Sequence, residues 1–131
     1  MSYNIAIVAP YIELSKIAEQ VCDELEVKAM IAVGDLGEGV EAAKELIEKG
    51  AEVIISRGGT ATAISRQLDE PVVEIIVSPY DIIRAVANAK KYGNHIGVVG
   101  FRNVIYGSKS LEEVLDVKID ELEIKDEKDA P

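Results

Sequence analysis

Short, near-continuous runs of Val, Ile and Ala recur along the chain, and between them apolar residues return every three or four positions. The runs are Ile5 to Ala9, Ala29 to Val33, Val53 to Ile55, Val72 to Val77 and Ile96 to Val99. Runs of this kind predict strands buried on both faces, as in a parallel sheet. A sixth segment, Val117 to Ile124, differs. Val117 and Ile119 alternate, then Leu122 and Ile124 alternate on the other parity. That slip predicts a bulge or an edge strand.

The intervening segments predict amphipathic helices. Leu14, Ile17, Ala18, Val21, Cys22 and Leu25 form the apolar face of the first, and Leu36, Val40, Ala43, Leu46 and Ile47 that of the second. Gly50 closes the second as a C-terminal glycine. Ala61, Ile64 and Leu68 mark a third, Ile82, Val86 and Ala89 a fourth stopped by Gly93, and Leu111, Val114 and Leu115 a fifth. Ser78-Pro79-Tyr80-Asp81 reads as a helix start, and Asp35 with Glu38 and Ser110 with Glu113 have capping-box spacing.

Strand and helix therefore alternate from end to end, which predicts an α/β fold with a doubly wound, mainly parallel sheet of Rossmann-like or flavodoxin-like type. Residues 1–93 are expected to form a first lobe. Residues 94–124 form a strand–helix–strand that begins a second lobe, apparently truncated, or completes the sheet. Residues 125–131 carry no apolar period and read as a disordered tail.

Composition narrows the function. A chain of 131 residues, 48% apolar, suits one domain with a real core. The formal net charge of −10 opposes phosphate backbones, so no direct nucleic-acid contact is expected. The apolar runs are too short to span a bilayer, and no basic region precedes the first, so neither a membrane span nor a signal peptide is read. Cys22 is the only cysteine. With no intrachain disulfide available, a cytoplasmic setting is expected.

Open parallel sheets bind ligands outside the carboxyl ends of their strands. At that rim the sequence places Pro10-Tyr11, Gly34-Asp35, Ser56-Arg57-Gly58-Gly59-Thr60, Ser78-Pro79-Tyr80 and Gly100-Phe101-Arg102-Asn103. Ser56 to Thr60 is the most informative segment. Gly58 and Gly59 let the backbone approach a ligand closely. The helix that follows presents amides and the positive end of its dipole. Thr60 offers a hydroxyl, and Arg57 can grip a carboxylate with two parallel hydrogen bonds. Arginine is scarce here, with only Arg57, Arg66, Arg84 and Arg102, so two arginines in rim loops of an acidic chain carry weight. Ser78 is explained by capping alone, while Tyr11 and Tyr80 are candidate pocket walls.

Other chemistry finds no support. Gly34-Asp35-Leu36-Gly37-Glu38-Gly39 lacks dinucleotide-binding spacing, and its acids would repel a pyrophosphate. His95, the only histidine, reads as a packed strand residue. No Cys/His cluster suits zinc, no cofactor is implied, and no nucleophile stands beside an evident base. The chain is therefore not expected to be an enzyme. Two alternatives stand beside a ligand-binding role: a small-carboxylate isomerase or lyase, for which Asp35, Asp81 and the tyrosines are the available groups, and a dimerisation module without ligand.

An ordered set of motifs carries a family likeness: Val53-Ile54-Ile55-Ser56-Arg57-Gly58-Gly59-Thr60-Ala61, Pro71 to Ile75, Val77-Ser78-Pro79-Tyr80-Asp81-Ile82, Ala89 to Gly93, and Ile96 to Asn103. From about Asn4 to Ile124 the chain resembles the N-terminal sensor domain of the propionate catabolism activators, sigma-54-dependent transcription regulators. The resemblance implies a two-lobed α/β domain with a cleft, an organic-acid effector of 2-methylcitrate type, and an ATPase domain further along a longer parent chain. By position, Ser56, Arg57, Gly58, Gly59 and Thr60 match the family's most recognisable loop. Ser78, Tyr80 and Asp81 match a second, and Arg102 adjoins a third. Apolar surface left by a shortened second lobe implies a homodimer.

Overall fold

The computed structural model describes residues 3–125, with the backbone alone at Asn103. Its elements are β1 (Ile5–Ala9), α1 (Ile12–Glu24), β2 (Ala29–Val33), α2 (Leu36–Glu48), β3 (Val53–Arg57), α3 (Gly58–Gln67), β4 (Val72–Ile75), α4 (Pro79–Lys90), β5 (His95–Phe101), α5 (Arg102–Ile105), α6 (Leu111–Leu115) and β6 (Lys118–Ile124). Contacts divide the chain after Ile75 into two compact units. The division falls earlier than the expected boundary at residue 93. Helix α4 shares its core with the second unit, where Val86 packs with Ile96, Leu111, Val117 and Ile119. The expected tail falls almost wholly on residues 126–131, outside the described residues.

The first unit is a parallel sheet of order β2-β1-β3-β4. From β1 the chain crosses to β2 on one side, then returns over β1 to β3 on the other. Right-handed crossovers in opposite directions put α1 on one face of the sheet and α2 and α3 on the opposite one. Ala6, Val8 and Ile54 face α2 and α3, and meet Val40, Ala43, Leu46 and Ile64. Val8, Val40, Ile54 and Ile64 are fully buried. Each such side chain stabilises the fold by about 1.5–3 kcal/mol.

The face of α1 is less well covered than its periodicity predicts. Leu14 and Ser15 are buried, but Ile17, Val21 and Leu25 remain exposed. The apolar arc of α1 is wider than the strip of β1 and β2 on which the helix lies.

Helices α2 and α3 approach closely at their first turns, and Gly39 permits it, since a Cβ there would collide with the Thr60 methyl. Gly34 serves the turn into α2 itself, where a Cβ would stand 2.7 Å from the Glu38 carbonyl oxygen. The glycine-rich turn after β2 is therefore a packing device. The capping box expected here does not form: Asp35 occupies the N-cap of α2 without a side-chain capping bond. Ser110 likewise leaves α6 uncapped, because its hydroxyl donates to the Gly107 carbonyl.

In the second unit β5 and β6 pair in parallel through seven unbroken residue pairs. The parity slip in β6 is thus no bulge. Among the described residues β5 is the only strand paired with β6, and the slip reflects a change of face: Ile119 is buried whereas Leu122 is exposed. Ser78 caps α4 as expected, accepting the Tyr80 backbone N–H at 3.2 Å. His95 is not packed. Its side chain is 60% exposed and its Nε2 donates to Asp120 Oδ2 at 2.6 Å. That bond holds the Asp120 carboxyl below its ordinary pKa, against the opposing effect of desolvation.

Two outcomes are expected. Gly39→Ala should lower unfolding stability by about 1–3 kcal/mol, the range for overpacking a tight contact; an unchanged thermal melt would contradict the close approach of α2 and α3. His95→Ala should raise the Asp120 pKa toward its ordinary value, as read by NMR pH titration of the carboxyl carbon. A depressed aspartate stabilises the fold above the ordinary carboxylate range and loses that contribution as the pH falls through its lowered pKa. An Asp120 titration that does not move in the variant would contradict the pairing.

Candidate functional site

The winding of the first sheet reverses at β1, so the crevice of an open α/β sheet falls between the carboxyl ends of β1 and β3. Pro10 and Tyr11 leave β1 at this point. Ser56 and Arg57 end β3, and Gly58, Gly59 and Thr60 open α3. Five of these seven residues, Ser56 to Thr60, thus come from one turn, and Pro10 and Tyr11 flank it.

Ser56 is fully buried, and its Oγ donates to the Val8 carbonyl oxygen at 2.7 Å. The hydroxyl ties β3 to β1 inside the sheet and does not face solvent. A buried hydroxyl needs such a partner, because an unmade hydrogen bond costs about 1–3 kcal/mol. Arg57 is half-buried at the end of the same strand. Its Nη1 donates to the Tyr11 hydroxyl at 3.1 Å. This bond spans the crevice from β3 to the start of α1. The partner is a hydroxyl and not a carboxylate, and among the described residues Arg57 makes no ion pair. The guanidinium is therefore held in place with its charge unbalanced, and a planar fork of this kind accepts a carboxylate in two parallel bonds.

Gly58 is buried with φ +59°, a left-handed conformation that a side chain disfavours. It turns the chain directly from strand into helix. The first turn of the ten-residue helix α3 contains no acidic residue, so no side chain of the helix itself offsets its positive end. Half-buried Gly59 follows.

Thr60 plays a different part from the one expected. It is 1% accessible. Its Oγ1 donates to Asp35 Oδ1 at 2.8 Å and accepts the Leu36 backbone N–H at 2.9 Å. Asp35, a rim residue with the spacing of a helix cap, thus bonds Thr60 instead of capping its own helix. Leu36 adopts φ +46°, which for a non-glycine residue costs about 1–2 kcal/mol. Nothing in the sequence signals that conformation, although the small residues Gly34 and Gly39 on either side mark a tight turn. The turn after β2 is further tied to the end of β1 by the Gly34 N–H, which donates to the Ala9 carbonyl oxygen at 2.9 Å.

Ser78, Tyr80 and Arg102 belong to the second unit. Ser78 is occupied in capping α4, and Tyr80 on the first turn of α4 is 75% exposed. Arg102 opens α5 and stands 3.9 Å from Glu123, with both side chains in solvent. A pair so long and so exposed adds little stability. Ser108 is fully buried, and its hydroxyl and the Lys109 amide both bond Glu121 Oε1, at 2.6 and 2.9 Å. A mainly apolar concavity of 490 Å³ in this unit is lined by residues including Ile76, Ile82, Ile83, Val104, Tyr106 and Leu111.

Two concavities of the first unit lie away from the crevice. One of 230 Å³ runs between α3 and β4, past Thr62, Ser65, Arg66 and Glu74. The other, of 280 Å³, opens at the amino ends of β1 and β2 beside Lys28 and Lys49. Among the described residues no helix is long and apolar enough to cross a membrane.

Residues 23–131 match the family model described as propionate catabolism activator. The structure is also similar to the crystal structure of an NtrC family transcriptional regulator from Clostridium acetobutylicum, with a TM-score of 0.80 and 27% sequence identity over 98% of this chain and 68% of that one.

Proposed function

The chain belongs to the propionate catabolism activator family, a sensory domain of sigma-54-type transcription regulators, and we propose that it senses a small organic acid held at the carboxyl ends of β1 and β3. The observation that carries this reading is the Arg57–Tyr11 bond across the point where the winding reverses. It fixes a half-buried cation, with no carboxylate partner among the described residues, beside the first turn of α3. Such an arrangement favours a carboxylate for two reasons: the guanidinium offers a charged fork, and the helix end adds positive potential.

The effector we propose is a tricarboxylate of 2-methylcitrate type, in keeping with the family. Ser56 supports the site from inside the sheet, Gly58 and Gly59 bring the backbone to the ligand, and Pro10 and Tyr11 wall one side. Binding would act on an ATPase domain in a longer parent chain, in the cytoplasm, without chemistry on the effector. Self-association belongs to the same proposal, supported by the exposed Ile17 and Val21 on α1 and Leu25 just after it.

Citrate and 2-methylcitrate are expected to raise the melting temperature of the 131-residue chain, because a ligand that binds only the folded state stabilises it. Arg57→Ala should weaken binding by about 1.5–3 kcal/mol, the range for hydrogen bonds to charged groups. A thermal-shift series over ligand concentration measures both. A wild-type melt indifferent to di- and tricarboxylates, or an equal response in Arg57→Ala, would contradict the reading.

A further inference from the structure

We propose that Thr60 and Asp35 are positioning residues of the effector site, acting on its amides and on Arg57 without touching the ligand. The inference rests on the reading of Arg57 and the first turn of α3 as that site.

Thr60 stands in the first turn of α3, three residues after Arg57. Between them lie Gly58 and Gly59, the most compliant pair of residues a chain can place there. Arg57 does not cap the helix with its side chain. The start of α3 is instead fastened from the neighbouring turn. The Thr60 hydroxyl donates its proton to Asp35 and accepts the Leu36 amide. Donor and acceptor are thus both engaged, and the side chain is buried, so the hydroxyl has nothing to offer a ligand.

Three features show that the turn after β2 is shaped around this bond. Asp35 sits at an N-cap but gives its carboxylate to Thr60 rather than to its own helix. Leu36 holds a left-handed conformation in the same turn, and its amide donates to Thr60. Gly39 leaves the space that the Thr60 methyl fills. A local preference is given up at Asp35 and at Leu36, and each loss feeds the same hydroxyl. Binding constellations need this kind of support, since a site whose parts wander binds in proportion to the time they spend in place.

The bond requires an acceptor at position 35 and a hydroxyl at position 60, and no charge. That distinguishes positioning from a general loss of stability. Citrate affinity, measured by calorimetry at a temperature where circular dichroism shows every variant folded, should fall about tenfold in Thr60→Val and in Asp35→Ala, the loss of a net hydrogen-bond energy. It should stay near wild type in Thr60→Ser, and at or above wild type in Asp35→Asn, which keeps an acceptor oxygen and removes a negative charge. Wild-type citrate affinity in Thr60→Val and Asp35→Ala would overturn the proposal. Failure of Arg57→Ala to weaken binding would instead overturn the site itself. A second measurement needs no ligand: amide hydrogen exchange at Gly58 and Gly59 should speed up in Thr60→Val and Asp35→Ala but not in Thr60→Ser or Asp35→Asn. Unchanged exchange in the first two variants would overturn the proposal whatever citrate does.

Discussion

A parallel sheet whose winding changes direction leaves a gap that no crossover helix fills, and here the gap opens beside β1. From β1 one connection leads to β2 and the return leads to β3, so the turns leaving β1 and β3 are carried to opposite faces. What keeps these two strand ends together is a pair of hydrogen bonds from consecutive residues. Ser56 binds the Val8 carbonyl inside the sheet, and Arg57 binds the Tyr11 hydroxyl at its edge. Alternation along β3 sends one side chain into the core and the next to the rim. The same strand end therefore supplies a lock inside the sheet and a cation at its rim.

The neighbouring turn makes that rim rigid. Thr60, Asp35 and Leu36 join the start of α3 to the turn after β2, and Gly39 allows the two to lie close. A sensor has to turn a small ligand into a change of population between states, and the ligand contributes only its difference in affinity between them. A rigid rim on a fully buried core of Val8, Ile54 and Ile64 gives the ligand one defined state to favour. Exposed apolar residues on α1 and the apolar concavity of the second unit are surfaces of another kind.

Much of this was legible in the sequence where local chemistry and tertiary packing agree. Ile5 to Ala9 and Ala29 to Val33 coincide with β1 and β2: β1 is buried on both faces, which admits little but Val, Ile and Ala, whereas β2, at the sheet edge, is only half-buried and keeps the same apolar run. Ser56 to Thr60 stood out because a hydroxyl, an arginine and two glycines at a strand end have few structural uses. The roles within that segment were not legible. Ser56 and Thr60 carry similar hydroxyls to a hydroxyl-rich rim, yet pleat and helix phase bury both. Asp35 has the spacing of a helix cap, and a stronger partner from 25 residues away takes its carboxylate. His95 looked like a packed strand residue because its neighbours are apolar, but it lies on the face of β5 opposite to Ile96 and meets Asp120 in solvent. The division of the chain after Ile75 follows from which core α4 joins, and periodicity does not reveal the partner of an apolar face.

The central claim is that an organic acid rests on the turn from β3 into α3, held by Arg57. The most direct measurement is a titration of the isotope-labelled chain with citrate, followed through backbone amide shifts and the Arg57 side-chain resonance. The account predicts that Arg57, Gly58 and Gly59 shift most and saturate together, with Tyr11 following. Shifts confined to the amino-end concavity beside Lys28 and Lys49, or none along β3 and α3, would contradict it.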